Sequence, residues 1–384
     1  MKNNLRFILL IFIIELIISS CTSPKKLLEK GNYYHAVLLS VEKLQSSPNN
    51  KNARETLAQA YVLAVDDLLK KIEKDKIIQP NFFNSFAAYT YEDLNTMYEK
   101  IQKSPAARQI IKNPKEFYTQ LSKAKPLAAE EQYIAGMQQL AMGSRENAKQ
   151  AYYYFQDTDA FVKNYKDVSS RLDQSYKMAL LHVIADLKPV HSTIYKLSAN
   201  TFYNEMQNTL QQIEKKQFVR FYSPMDAKKL NLENPDQILE INFEDFIVGE
   251  THTQERIEKM VRDSVIVGTV ALDNGRKKNV YGTVKAKVYL FKMQVISKGI
   301  VGFTISENNS NKTTILDNRI PGEYVWFNDW GNYNGDIRAL NKKQKEICSR
   351  RKILPPPPQQ MFIEFTKPIH EQLRVELFNF YQDY

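Results

Sequence analysis

Through most of its first half the chain brings apolar residues back every three or four positions, and from about residue 180 it brings them back every second position. Those periods belong to a helix face on a core and to a half-buried strand. Residues 26–178 therefore read as helical. The longest pattern puts Leu57, Ala60, Tyr61, Ala64, Leu68 and Ile72 on one face behind Asn50, a residue suited to start a helix. Beyond residue 180, segments 181–185, 218–222 and 238–243 read as strands around a helix over 199–215 that carries Phe202, Met206, Leu210 and Ile213 on one side. Two long extended stretches follow, 255–270 and 278–297. In the second, Val280, Val284, Ala286, Val288 and Leu290 face one way and Tyr281, Thr283, Lys285 and Lys287 the other. Leu272-Asp273-Asn274-Gly275-Arg276 is turn chemistry and predicts that these stretches pair as a hairpin. A further hairpin is predicted from 299–306 and 313–320. Pro355 to Pro358 predict a stiff extended spacer. A last helix, capped by Thr366 with Pro368 in its first turn, would place Ile369, Leu373, Leu377 and Phe380 on one side. The fold class expected is α+β: a helical segment, then one mainly antiparallel sheet with helices packed on it.

The first twenty residues follow a different rule. Lys2 and Arg6 precede an apolar run over 7–14, Glu15 interrupts it, and Ile18-Ser19-Ser20-Cys21 follows. A basic start, a short apolar stretch and small residues before a cut site describe a secretory signal. A spanning helix needs roughly 20 apolar residues. Ile18-Ser19-Ser20-Cys21 resembles the lipobox of bacterial lipoproteins, which implies that Cys21 carries diacylglycerol on sulfur and a further acyl chain on its amine. Two or more chains give stable anchoring, at about 0.8 kcal/mol per buried methylene. An ordinary signal peptide with a chance cysteine is the alternative. Thr22 stands where inner-membrane lipoproteins have Asp, and Thr22-Ser23-Pro24-Lys25-Lys26 lacks the acidic cluster of surface-exported Bacteroidota lipoproteins. Both features imply the periplasmic face of the outer membrane. The organisation expected is a signal over 1–20, a helical domain over 21–178 and an α+β domain over 179–384.

Within the helical segment, Gly31-Asn32-Tyr33-Tyr34-His35-Ala36 with Ser46-Ser47-Pro48-Asn49-Asn50, and again Tyr133, Ala135, Gly136, Met142-Gly143, Ala148, Ala151 and Phe155, resemble tetratricopeptide repeats. The resemblance implies stacked antiparallel helix pairs; a plain helical bundle is the alternative. In the second half, Asn234-Pro235-Asp236-Gln237-Ile238-Leu239-Glu240-Ile241, a long hairpin and Val288-Tyr289-Leu290-Phe291 resemble the periplasmic domain of curli-secretion lipoproteins and of the activators of peptidoglycan synthases. That likeness is topological and carries no functional residue across. The whole resembles the repeat-containing outer-membrane lipoproteins of the Bacteroidota.

Composition and chemistry narrow the function to binding. The net charge is +10, but the lysines lie among many acids, and secretion removes nucleic acid as a partner. Cys21 and Cys348 are the chain's two cysteines, so with Cys21 acylated no disulfide framework exists. Cys348 stands before Ser349-Arg350-Arg351-Lys352, which would favour a thiolate, although a passive surface cysteine fits better. The five histidines, His35, His182, His191, His252 and His370, form no pair at metal-ligand spacing. Glu130-Glu131 and Glu244-Asp245 are adjacent acids, which do not face one site and read as solvated surface. No enzyme motif, metal site or cofactor loop is present in the sequence. One segment stands out: residues 321–336 hold both tryptophans and read as an aromatic, glycine-rich loop. Tyr324, Trp326, Trp330 and Tyr333 are the candidate partner-binding residues, with packing at the open end of a sheet the slightly favoured alternative. The function expected is a lipid-anchored scaffold in envelope biogenesis, export or secretion, its partner an outer-membrane barrel or translocon. Its rivals are a periplasmic regulator of a cell-wall synthase and a surface glycan-binding lipoprotein.

Overall fold

Short polar side chains start most of the helices of the first half, as the pattern of Ser and Asn residues leads one to expect. The computed structural model describes residues 23–384 except 191, 193, 274, 275, 310 and 311. Cys21 and the signal-like segment, His191 and the turn residues Asn274, Gly275 and Asn311 lie outside the described residues. The fold is α+β, and the chain divides into two units that meet between Ala179 and Leu180.

Among the described residues the first unit has eight helices: α1 (Pro24–Glu29), α2 (Tyr33–Ser46), α3 (Lys51–Ile78), α4 (Phe83–Lys103), α5 (Pro105–Ile110), α6 (Tyr118–Ala141), α7 (Arg145–Phe161) and α8 (Val168–Ala179). Asn50 accepts the Ala53 amide at 3.0 Å and Ser144 the Asn147 amide at 3.1 Å, each satisfying an amide that the first helical turn leaves free. The turn before Ser144 passes through Gly143 at φ +74°, a backbone region glycine enters without strain. Leu57, Ala60, Tyr61, Ala64, Leu68 and Ile72 are all buried, as their spacing requires. α4 has no side chain of its own at its cap. Glu131 of α6 supplies one: its carboxylate accepts the amides of Asn84 (2.9 Å) and Ser85 (2.8 Å) and the Ser85 hydroxyl (2.9 Å). Glu130 accepts from Lys166 at 2.7 Å and from the Tyr165 hydroxyl. Neither acid is the merely solvated residue its adjacency suggested, because each reaches a different element.

The second unit is one five-stranded mixed sheet, in the order β2-β1-β3-β4-β5: β1 (Leu181–Leu187), β2 (Val219–Tyr222), β3 (Gln237–Ala271), β4 (Lys277–Glu307) and β5 (Thr314–Gly335). β1 runs parallel to both β2 and β3, so helical crossovers join them: α9 (Lys196–Glu214) and α10 (Pro224–Lys229). β3, β4 and β5 are antiparallel. α11 (Lys342–Ser349) and α12 (Pro358–Tyr381) complete the unit. α9 and α12 lie on one face of the sheet, where Phe202, Met206, Phe362, Phe365, Ile369, Leu373 and Leu377 meet Leu181, Val183, Leu239, Ile241, Val301, Phe303 and Ile305.

Three expectations are corrected. First, the extended stretches are longer than their patterns indicated, since 238–243 and 255–270 are parts of β3, while 278–297 and 299–306 are parts of β4. Bulges at Phe243/Asp245 and Ile247/Glu250, with Gly249 at φ +80°, break the alternation without ending the strand. Second, residues 321–336 are not a loop: β5 runs through to Gly335. Third, the last helix starts at Pro358, not at Thr366. The Thr366 hydroxyl donates to the Ile363 carbonyl at 2.9 Å, and Pro368 lies inside the helix. Burial of Met361, Phe362 and Phe365 on the sheet outweighs the local capping signal.

Gly136 tests the packing of the helical unit. A Cβ there would lie 2.6 Å from the Phe155 ring, which is fully buried and has no room to move. Gly136→Ala gains about 1 kcal/mol of helix propensity, but overpacking of this kind costs about 1–3 kcal/mol. The expected result is a lower thermal midpoint of the helical unit. A midpoint that rises would mean that α6 and α7 are not in close contact.

Candidate interaction site

β5 carries every candidate partner-binding residue, and strand alternation separates them. Tyr324, Trp326 and Trp330 share the face that also presents Gly322 and Asn328, whereas Tyr333 points to the other side and is 39% exposed. The two tryptophans are half-buried against Met293, Val295 and Met361. Trp330 stacks on its cross-strand partner Phe291 at 5.3 Å and 13°. The glycines of this segment reflect contact: a Cβ on Gly322 would meet the Phe365 carbonyl and the Ile369 side chain of α12, and one on Gly331 the Tyr289 carbonyl at 2.8 Å. Pro321 is tolerated because β5 is an edge strand.

The tryptophans are further covered by residues 350–357, which join α11 to α12. Asn328 holds this segment: its amide nitrogen reaches the Arg351 carbonyl (3.5 Å) and its oxygen accepts the Ile353 amide (3.0 Å). Lys352 Nζ sits 5.5 Å from the centre of the Trp330 ring, a cation–π contact. Arg350 pairs with Asp329 and, at 2.6 Å, with Glu346. The segment crosses the β5 edge from one face to the other. On β4 the buried side switches from Met293 and Val295, under α12, to Val284, Ala286 and Val288, which pack on Ala339, Leu340 and Cys348. The β4–β5 register is unbroken through that switch, so the two helices lie on opposite faces. The aromatic strand is thus largely engaged within the unit. Cys348 belongs to this packing, and burial pushes its thiol up from the ordinary value. The basic residues after it do not activate it, since Arg350 is committed to two carboxylates.

What the fold leaves open is the β3–β4 ribbon. β1 pairs with β3 only as far as Ile241, and β5 pairs with β4 only from Ala286 onward. Past Ile241, β3 is therefore an edge strand for about thirty residues, where strands of 3–10 residues are usual. Beyond Ala286 the ribbon has two strands, and Val261, Ile266, Val267, Val270, Leu272, Val280 and Tyr281 are exposed on it, Tyr281 by 62%. Sequence reasoning located these strands but passed over them as a site. The available signal was the polar run 250–259, in which neither face is apolar: most of such a strand stands outside the packed layers, and here only Glu258 is reached by α11, through Gln344.

The remaining chemistry is local. His182 stacks on Tyr222 with Nδ1 3.0 Å from its hydroxyl, His370 lies 3.2 Å from Thr209, His35 lies 2.9 Å from Asn32, and His252 lies 3.4 Å from Glu250. Among the described residues no group of three or more His, Cys, Asp or Glu side chains could hold a metal ion. An open groove of about 580 Å³ lies between Asp245, Lys298, Ile300 and Glu323. None of the helices among the described residues is long and apolar enough to cross a membrane. No protein-family model matches the chain, and no curated protein and no solved structure matches it either.

Replacing Trp326 and Trp330 together by Ala should lower stability by about 3 kcal/mol, below the 3–5 kcal/mol of a single fully buried ring per residue because both are half-exposed. Denaturant unfolding measures it, and an unchanged midpoint would return the pair to the list of free binding residues. For Cys348, a raised thiol pKa leaves less thiolate at every pH below it. Iodoacetamide should label Cys348 more slowly than free cysteine at pH 8, catch up as the pH rises, and lose the lag in urea. Labelling faster than free cysteine at pH 7 would contradict the burial.

Proposed function

We propose that this chain is a lipid-anchored assembly component of the bacterial envelope that works by binding protein partners and performs no chemistry of its own. The observation that carries the reading is the apolar end of the β3–β4 ribbon. Two strands alone are marginally stable in water, and here six large apolar residues stay exposed on them, with Ile266 opposite Tyr281 on one face and Val270 and Val280 on the other, and Leu272 just beyond. Exposed apolar side chains on both faces give a strand-like partner something to cover on either side, and a β-ribbon with open edges offers it main-chain hydrogen bonds as well as side-chain contact. A partner built of strands, such as an outer-membrane barrel or a translocon subunit, fits that chemistry. The helical unit offers a separate surface for a second protein. Acylation at Cys21 would hold both units at the periplasmic face of the outer membrane, in line with the lipobox and with Thr22 after it. The glycan-binding rival loses its support, because it drew on an aromatic loop whose tryptophans face α12 and residues 350–357.

The anchor and the binding are tested separately. Cys21→Ala should abolish incorporation of a fatty-acid analogue, and equal label in both proteins would sink the anchoring. Replacing Ile266, Val267, Val270 and Tyr281 by Thr should remove the protein that co-purifies from detergent-solubilised membranes, with the thermal midpoint nearly unchanged. A partner retained in full by that variant would place the binding surface elsewhere.

A further inference from the structure

At the level of Ile257 the sheet has three strands: Ile257 pairs with Tyr289 of β4, which pairs with Asn332 of β5. Among the described residues β3 has no neighbour in the sheet on the other side of Ile257. Residues 250–257 are exposed one after another, and the Arg256 side chain is 79% exposed. An open edge presents a row of backbone donors and acceptors to any strand that can lie along it.

The side chains here select a partner. The sequence along the edge is Glu255-Arg256-Ile257-Glu258-Lys259. Set antiparallel to itself about Ile257, it places Glu255 opposite Lys259, Arg256 opposite Glu258 and Ile257 opposite Ile257, with the same pairs repeated by symmetry. Every charge meets its opposite. The flanking pairs, Gln254 with Met260 and Thr253 with Val261, bring no like charges together. A slip of one residue sets Glu255 against Glu258 or Arg256 against Lys259, and a slip of two sets Arg256 or Glu258 against itself. Opposite charges directly across an antiparallel pair stabilise it, and like charges destabilise it. The charges therefore select one register over its near neighbours, which a purely apolar or uniformly basic edge would not do. Arg256 and Glu258 already pair at 2.8 Å within the chain, so a second copy would close these two pairs into a ring of four charges.

We propose that β3 pairs antiparallel with β3 of a second copy about a two-fold axis at Ile257, joining three strands of each copy into one continuous sheet. The contact is isologous and closes at two copies. It uses the edge over residues 253–261 and leaves the apolar residues from Ile266 to the tip open for a different partner. Glu255 and Lys259 are exposed and make no ion pair with a described residue, so they can be changed without disturbing the fold.

Ile257→Cys in the full chain, oxidised with copper phenanthroline in detergent, should give a disulfide-linked dimer on a non-reducing gel. Facing Cα atoms in an antiparallel pair lie at disulfide distance. The parent chain, with Cys21 and Cys348, sets the background, and Thr253→Cys should not rise above it because Thr253 faces Val261. In the Ile257→Cys chain, adding Glu255→Lys or Lys259→Glu should each reduce cross-linking at least tenfold. Adding both together should restore it, since the reversed pair is again complementary. Thr replacements at the tip should leave it unchanged. Absence of the Ile257→Cys dimer, equal cross-linking at Thr253→Cys, or failure of the double reversal to restore it would overturn the proposal and leave the charges as protection of an open edge.

Discussion

The antiparallel pairing of β3 with β4, from Gln237 and Glu307 at one end to Ala271 and Lys277 at the other, is the constraint on which the second unit depends. Near its first end it is the middle of a five-stranded sheet with α9 and α12 on one face. Farther along it is a ribbon whose cover thins to residues 336–357, the outermost contact being Arg338, which donates to the Ile266 carbonyl. One register has to serve both regimes, so the bulges are where the structure adjusts. Those at Phe243/Asp245 and Ile247/Glu250 fall where the strand leaves the core. There the Gly249 amide donates to Ser297, itself fully buried, at 3.1 Å. The register is set in the core by Leu239, Ile241, Val301, Phe303 and Ile305, all buried, and is carried outward by backbone hydrogen bonding.

The C-terminal segment fastens that arrangement from both sides. α11 packs on one face at Val284, Ala286 and Val288, and α12 on the other at Met293 and Val295. Joining them requires the chain to cross the β5 edge, and Asn328 makes the crossing by pairing its side-chain amide with backbone groups of Arg351 and Ile353. This edge is thereby occupied and the β3 edge is not. The asymmetry leaves the tryptophans of β5 packed against α12 and residues 350–357, while Glu255 and Lys259 of β3 stay exposed beside an open edge.

Much of this was legible in the residues, but unevenly. The buried faces of α3 and α9 could be named position by position, because a helix on a core must repeat every three to four residues. The length of β3 and β4 could not, since Glu244, Asp245 and Gly249 look like the end of a strand and only the pairing partner shows that a bulge absorbs them. In the aromatic segment, Pro321, Gly322 and Gly331 are the commonest loop residues, yet each is there because an edge is open or a neighbour approaches closely. Once that segment is known to be a strand, the parity of Tyr324, Trp326 and Trp330 against Tyr333 separates them at sight. The charge symmetry about Ile257 is hidden for another reason: it has no trace in apolar spacing.

Ordering a residue of backbone removes about 1–2 kcal/mol of conformational freedom, and in the core of the second unit buried side chains offset it. From Glu250 to Ala271 the offset is missing inside the unit, because almost every side chain of β3 there is exposed and one edge is unpaired. Strands in this position are usually short, or broken by proline. This one is neither, and it has β-branched residues at Val265, Ile266, Val267 and Val270 where solubility alone would favour polar ones. Two devices divide its length: alternating charge where the sheet is three strands wide, and exposed apolar residues where it is two. Charge sets register and excludes wrong pairings, while apolar surface supplies affinity. A ribbon that separates these two along its axis presents two chemically distinct surfaces, one at its middle and one at its tip.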